Sequence, residues 1–393
     1  MPQKRYSAPM ASSDAILPAQ RLLEGQRIAF YAPLKSPNHP VASGDRLMAQ
    51  QLCAALSAGG AEVELASELR CYLPDPSDRN AAEALSQAAT QAIIRLQALW
   101  EQTGPPALWF SYHPYFKSPD LIGPALCRRF AVPYVTAESS WSARRNTGIW
   151  QETQSVVLAG LRQAALNICL TRRDRNGIAE AAPEAATALL APFVDPRSFL
   201  AKPPRPESGR LVTVAMMRPG DKAASYAILA RALSGLTDLQ WRLSIIGDGP
   251  ARPQVAAEFA SISDRIDWHG ALPPENVASR LSGAQVYVWP GCGEAYGLAY
   301  LEAQAAGLPV VAFSTAGVPE VVAHDISGLL TPDGDVGALS AALRQLLTDR
   351  ALRNRLAEQS RRRVIAHHSI DAASQRLAEM LLPLLDRKNA ARI

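Results

Sequence analysis

What this 393-residue chain lacks narrows its class first. Cysteine is scarce. Cys53, Cys71, Cys127, Cys169 and Cys292 are scattered, odd in number and never spaced Cys-x-x-Cys. That excludes a disulfide framework or a zinc site and points to a reducing compartment. No apolar run reaches about 18 residues, so no membrane-spanning helix is expected. Lys4 and Arg5 have no apolar stretch behind them, which argues against a signal peptide. A formal charge of +4 is small for this length and does not suit a nucleic-acid binder. No Gly-x-Gly-x-x-Gly follows a strand, so no dinucleotide cofactor is expected. The expectation is a cytoplasmic protein without cofactor or metal, with at most peripheral membrane contact.

What is present is globular: 48% hydrophobic and 19% charged residues, with room for two domains. The most informative stretch runs from Tyr287 to Thr331. Ala284–Trp289 has the length and composition of a buried strand, and Pro290 ends it. A loop with Gly291, Gly293 and Gly297 follows, then a helical pattern over 298–306. Gly307 stands where a helix would be capped, and 308–313 reads as a second buried strand. Glycines let backbone N–H groups approach a ligand closely, and a helix N-terminus adds roughly +0.5 of an elementary charge. Together they suit a phosphate. Glu294 and Glu302 flank that place. Carboxylates do not bind phosphate, but they accept hydrogen bonds from hydroxyls. One on each side of a pyrophosphate suits a ribose and a sugar, which describes a nucleotide-sugar.

The spacing Glu294-x7-Glu302, followed by AQAAGLPVVA, AGVPEVV and SGLL, resembles the retaining glycosyltransferases of family 4. The resemblance implies an α/β architecture of two Rossmann-like domains, the GT-B fold, with a final helix crossing back to the first domain. It implies that Glu302 holds the donor ribose, that Glu294 lies near the donor sugar, and that Gly293, Tyr296, Gly297 and Leu298 contact the donor. It also implies transfer without a metal ion.

In chain order, residues 1–26 read as a loose extension. Arg27–Ala32 is a strand, Pro33–Gly44 a loop, and a helix follows. Gly44 stands where relatives carry a glycine pair against the donor phosphates. Asp45 is either the cap of this helix or, with Arg46, a phosphate or acceptor contact. A strand ends at Phe110 and leads into Ser111-Tyr112-His113. Strand C-termini are where open α/β sheets place ligands, so His113 is either an acceptor contact or a structural histidine. After the strand Pro133–Ala137, Glu138 stands where the resemblance implies a histidine. It would bond a sugar hydroxyl or serve as a base. Arg144 and Arg145 would hold an anionic acceptor or lie in solvent.

Five prolines between Pro192 and Pro206 mark the expected linker, separating a first domain, 27–195, from a second, 210–368. The second restarts with a strand at Leu211–Met216 and then Arg218 and Lys222. Both cations precede or open a helix, where the dipole disfavours them, so a diphosphate partner accounts for them better than solvent does. The resemblance implies the same. Arg361–Arg363 reads as a solvated basic face.

The expected activity is transfer of a sugar from a nucleoside-diphosphate sugar to a sugar, lipid-linked or small-molecule acceptor. The expected catalytic group is Glu294, Arg218, Lys222 and Glu138, with Gly44 and Glu302 on the donor and His113, Arg46 and Arg144 on the acceptor. With no base placed by the sequence, the acceptor proton is expected to pass to the leaving phosphate. A nucleotide-sugar epimerase and a non-catalytic nucleotide-sugar binder on the same fold are the alternatives.

Overall fold

A computed structural model describes residues 21–41 and 43–390. Of the expected loose extension, residues 1–20 lie outside the described residues, whereas Leu23 is fully buried and its N–H donates to Gly59 O.

Two parallel sheets of six strands organise the chain. The first contains β1 (Arg27–Tyr31), β2 (Glu62–Ser67), β3 (Leu108–Tyr112), β4 (Tyr134–Ala137), β5 (Leu166–Cys169) and β6 (Thr187–Leu189), in the order β2-β1-β3-β4-β5-β6. The second contains β7 (Arg210–Val214), β8 (Arg242–Ile246), β9 (Ile266–Trp268), β10 (Val286–Val288), β11 (Val310–Phe313) and β12 (Gly328–Thr331), in the order β12-β11-β10-β7-β8-β9. Helices cover both faces of a parallel sheet, so its central strands are apolar throughout rather than alternating. β3 (LWFSY), β4 and β11 (VVAF) are buried at every residue. Each sheet reverses its strand order once, between β1 and β3 and between β7 and β10. Ligands bind outside the strand C-termini at such points.

The expected architecture is therefore observed. The helix Ile370–Ala390 packs on the helix Gly44–Ala58 of the first half, burying Leu377, Leu381 and Leu385, spaced four residues apart on one face. The proline-rich segment between the sheets is tied down on both sides. Arg205 N donates to Ser282 O, Val194 N to His368 O, and the Arg361 guanidinium to Leu200 O at 2.9 Å. That last bond corrects the reading of Arg361–Arg363 as a solvated face. Arg361 and Arg363 are half-buried, and burial pushes the Arg363 guanidinium below its ordinary value. Helical periodicity turns Arg361 toward the linker, which the local charge run does not show, and leaves Arg362 exposed as expected.

Candidate functional site

The C-terminal ends of the two sheets face one another across a cleft of about 1920 Å³. From the first half it is lined by Gly44, Asp45, Arg46, His113, Glu138 and Arg144. From the second it is lined by Arg218, Lys222, Glu294, Tyr296, Gly297 and Glu302, with Leu298 beside them. The structure thus brings together every candidate catalytic, donor and acceptor residue named from the sequence except Gly293, which shapes the loop without lining the cleft. Lys222 and Glu302, 80 positions apart, open onto the same space.

On the second side, the helix Asp221–Ser234 begins after Gly220, and Lys222 is its second residue. Lys222 Nζ makes an ion pair with Glu294 and lies 5.5 Å from the centre of the Trp289 ring. Trp289 Nε1 donates to Glu294 Oε1 at 3.0 Å. One carboxylate is thus held by an ammonium and an indole. Glu294 sits in a turn that only glycine can make. Gly293 has φ +65°, and a Cβ there would stand 2.2 Å from Asp221 Oδ2. Gly297 has φ +78°, and a Cβ there would stand 2.6 Å from the Tyr300 ring. Glu302 follows in the helix Leu298–Ala305, and burial alone pushes its carboxyl up to about 7. Arg218 is exposed in the loop after β7.

On the first side, two adjacent strands end in the left-handed region. His113 has φ +59° and Glu138 has φ +56°. Neither residue is glycine, and such conformations concentrate at functional sites. The backbone fixes both: His113 N donates to Ala137 O, and Glu138 N donates to Ile168 O. Glu138 Oε2 accepts the Tyr112 hydroxyl at 2.9 Å and the Tyr296 hydroxyl at 3.1 Å. Tyr296, expected as a donor contact, therefore commits its hydroxyl to the opposite half of the chain. Burial raises the Glu138 carboxyl above its ordinary range, and His113 partly opposes that.

His113 Nδ1 lies 3.4 Å from Asp45 Oδ1. Burial pushes the imidazole down, but Asp45, Glu138 and Asp174 outweigh it and hold the ring above its ordinary value. Asp45 does not cap its helix. Ser43 does, with Oγ accepting from Arg46 N at 3.2 Å, which frees Asp45 for His113. Arg46 is half-buried and reaches Pro40 O at 3.5 Å. Arg144 is exposed in a short 3-10 turn, and its neighbour Arg145 lies 5.5 Å over Phe116.

Sequence reasoning missed Tyr112, Trp289 as a partner of Glu294, and Asp174. Tyr112 stands directly before His113 at a strand end, a signal that was present. Asp174 carried none, since it enters through a helix that begins only after β5. Among the described residues no three His, Cys, Asp or Glu side chains gather as a metal site. The one Asp-x-Asp of the second half, Asp333-Gly334-Asp335, serves local structure. Asp335 caps a helix through Ala338 N, and Asp333 accepts from Thr315. No helix among the described residues is long and apolar enough to cross a membrane.

Residues 199–363 match the family model "Glycosyl transferases group 1". The chain is 32% identical over 190 residues to an exopolysaccharide phosphotransferase of Streptomyces coelicolor, covering 47% of this chain and 20% of that protein. It is 28% identical over 230 residues to 2-deoxystreptamine glucosyltransferase of Streptomyces kanamyceticus, covering 57% of each. The matches thus span less than two thirds of these relatives. In structure the chain is similar to sucrose-phosphate synthase from Thermosynechococcus elongatus (TM-score 0.73, 22% identity, 92% of this chain and 100% of that one). It is also similar to Anabaena HepE in complex with UDP (TM-score 0.67, 14% identity, 91% and 100%). These likenesses establish the GT-B fold.

Proposed function

We propose that this chain, whose residues 199–363 match the glycosyl transferases group 1 model, transfers a sugar from a nucleoside-diphosphate sugar to an acceptor hydroxyl with retention of configuration and without a metal ion. The observation that carries this reading is the shared cleft: Arg218, Lys222, Glu294 and Glu302 from one half face His113 and Glu138 from the other. The second half, from Arg210 to His368, takes the nucleotide, and the first takes the acceptor.

The diphosphate lies against Arg218, Lys222 and the amides of the Gly293–Gly297 loop. A fork and a point charge together offset its charge and stabilise the leaving group as the bond to sugar breaks. Lys222 already bonds Glu294. An arriving diphosphate therefore shares that ammonium and leaves the Glu294 carboxylate free to accept a sugar hydroxyl. Glu302 accepts from the ribose. A neighbour of the same fold is in complex with UDP, which supports a nucleotide-sugar as donor.

Calorimetric titration of UDP, GDP and the corresponding nucleosides tests the site. Lys222→Ala is expected to weaken the diphosphate about 10- to 100-fold, the loss of one charge-assisted contact, and to leave the nucleoside nearly unchanged. Glu302→Ala should weaken both. Unchanged affinities in both variants remove the donor assignment. Nucleotide release that depends on an added acceptor separates transfer from epimerisation.

A further inference from the structure

His113 and Asp45 pair on the first-half wall of the cleft. The ring stacks on Tyr115 with 5.0 Å between centres and tilts against Tyr112 at 5.7 Å. The main chain holds it at φ +59° between β3 and β4. Nδ1 is sealed from water and finds only Asp45, 3.4 Å away and short of full hydrogen-bond alignment. Nε2 has no protein partner among the described residues, and the exposed fifth of the side chain lies on the cleft. A structural histidine such as His368 spends its bonded nitrogen on a backbone carbonyl and buries the other. This one fixes one nitrogen on a carboxylate and turns the other toward the space where substrate sits. That is how a histidine base is oriented: the carboxylate selects the tautomer with Nδ1–H and leaves the Nε2 lone pair free.

We propose that His113 is the base that accepts the proton of the attacking acceptor hydroxyl, with Asp45 as its positioning residue. This rests on the glycosyl-transfer reading. The acceptor oxygen bonds the anomeric carbon on the face from which the diphosphate leaves, as retention requires, while its proton passes to His113 Nε2. The bond from the anomeric carbon to the phosphate oxygen breaks, and its electron pair leaves with the diphosphate. The charge gained by the ring is met by Asp45 from the helix Gly44–Ala58, Glu138 from the end of β4 and Asp174 from the helix Arg172–Ala181, while Lys35, in the loop after β1, faces Asp45 and offsets part of its charge. Arg173 stands beside Asp174 and offsets part of that field, and the phenols of Tyr112 and Tyr115 complete the surroundings. The proton thus goes to the protein and not, as expected from sequence, to the leaving phosphate.

The test has two arms. In the first, 15N-histidine NMR titration follows the ring in the wild type, with His113→Gln to assign the signal. Neutral His113 should be the Nδ1–H tautomer and should titrate above its ordinary 6.5. Asp45→Asn should lower that midpoint and mix the tautomers. An Nε2–H tautomer in the wild type, or a midpoint unmoved by Asp45→Asn, overturns the pairing. In the second, nucleotide release is measured from UDP-glucose, UDP-N-acetylglucosamine and GDP-mannose with water or added polyols as acceptor. Activity should rise with pH through the His113 midpoint. His113→Gln should lower kcat about 10²- to 10⁴-fold with KM and UDP affinity little changed, and should lose that rise. Asp45→Asn should shift it to lower pH. A His113→Gln enzyme with full kcat or an unchanged pH profile overturns the proposal alone. A wild type that releases nucleotide from no donor overturns the transfer reading, while the NMR arm still judges the pair.

Discussion

The Tyr296 hydroxyl donates a 3.1 Å hydrogen bond to Glu138 Oε2, joining the second half of the chain to the first beneath the cleft. Tyr112 donates to the same oxygen at 2.9 Å from within the first half. The two phenols differ in consequence although their chemistry is alike. Tyr296→Phe removes a tie between halves, whereas Tyr112→Phe removes one between the C-terminal ends of two neighbouring central strands. A bond to a charged group contributes about 1.5–3 kcal/mol, so each change should lower stability by that order. Only Tyr296→Phe should also widen the molecule. Small-angle scattering of both variants checks this, and equal radii of gyration in both variants would show that the bond does not hold the halves together.

Glu302 makes the cleft sensitive to pH. Burial raises its carboxyl from 4.5 to about 7 in the fold. The folded state therefore holds this proton more tightly than the unfolded chain. The stability so gained is complete below the unfolded value and is lost as pH rises through the folded one, by at most on the order of 3 kcal/mol. Ligand binding runs the other way, because the ionised carboxylate is the better acceptor for ribose hydroxyls. Nucleotide affinity should improve between about pH 6 and about pH 8 in the wild type and stay flat in Glu302→Gln. Calorimetry at both ends decides, and parallel curves for the two proteins would detach Glu302 from the nucleotide.

Gly293 and Gly44 should answer alanine in opposite ways. Gly293 sits at φ +65° with the Asp221 carboxylate 2.2 Å from where a Cβ would go. Alanine there meets both a strained backbone and a clash, and should cost more than about 1 kcal/mol while weakening diphosphate binding. Gly44 opens its helix at an ordinary φ with nothing within 4 Å of a Cβ. Alanine there should be neutral or stabilise by about 0.4–1 kcal/mol. Thermal melts and UDP titrations of the pair check the contrast. A Gly44→Ala protein that loses UDP would show that the backbone at Gly44 itself touches the donor.

The second half was more legible than the first for a physical reason. Buried parallel strands read as short apolar runs, and the turn carrying Glu294 needs glycines that announce themselves. Its helix and its strands followed from local pattern, and the pair Arg218 and Lys222 was singled out by the family resemblance together with its place at a helix start. The helix Gly123–Phe130 and the three-residue β6 did not, being short and set in no clear period. The pairings that matter most were out of reach. Asp45 meets His113 across 68 positions and Glu138 meets Tyr296 across 158, contacts that exist only once crossovers bring strand ends together. Spacing identified which residue types stood at strand ends, and the fold alone decided which of them touch.

His368 should dominate the response to acid, once Glu302 is accounted for. It is buried where the chain crosses back, and its Nδ1–H donates to Pro192 O at 2.7 Å. Burial lowers its pKa from 6.5 to about 4. The unfolded chain therefore binds the proton more readily, so the stability is complete above the unfolded value and is lost as pH falls toward the folded one, by at most about 3 kcal/mol. Glu302 has the opposite slope over much of the same range. The wild type should accordingly show a flatter profile than either variant. Denaturant unfolding of Glu302→Gln should expose a loss of stability on acidification from about pH 7 to about pH 5. His368→Asn keeps a donor for Pro192 without titrating, and should instead gain stability over that interval. Should both variants track the wild type at every pH, neither group carries the linkage, and the tie between His368 and Pro192 would be one of shape alone.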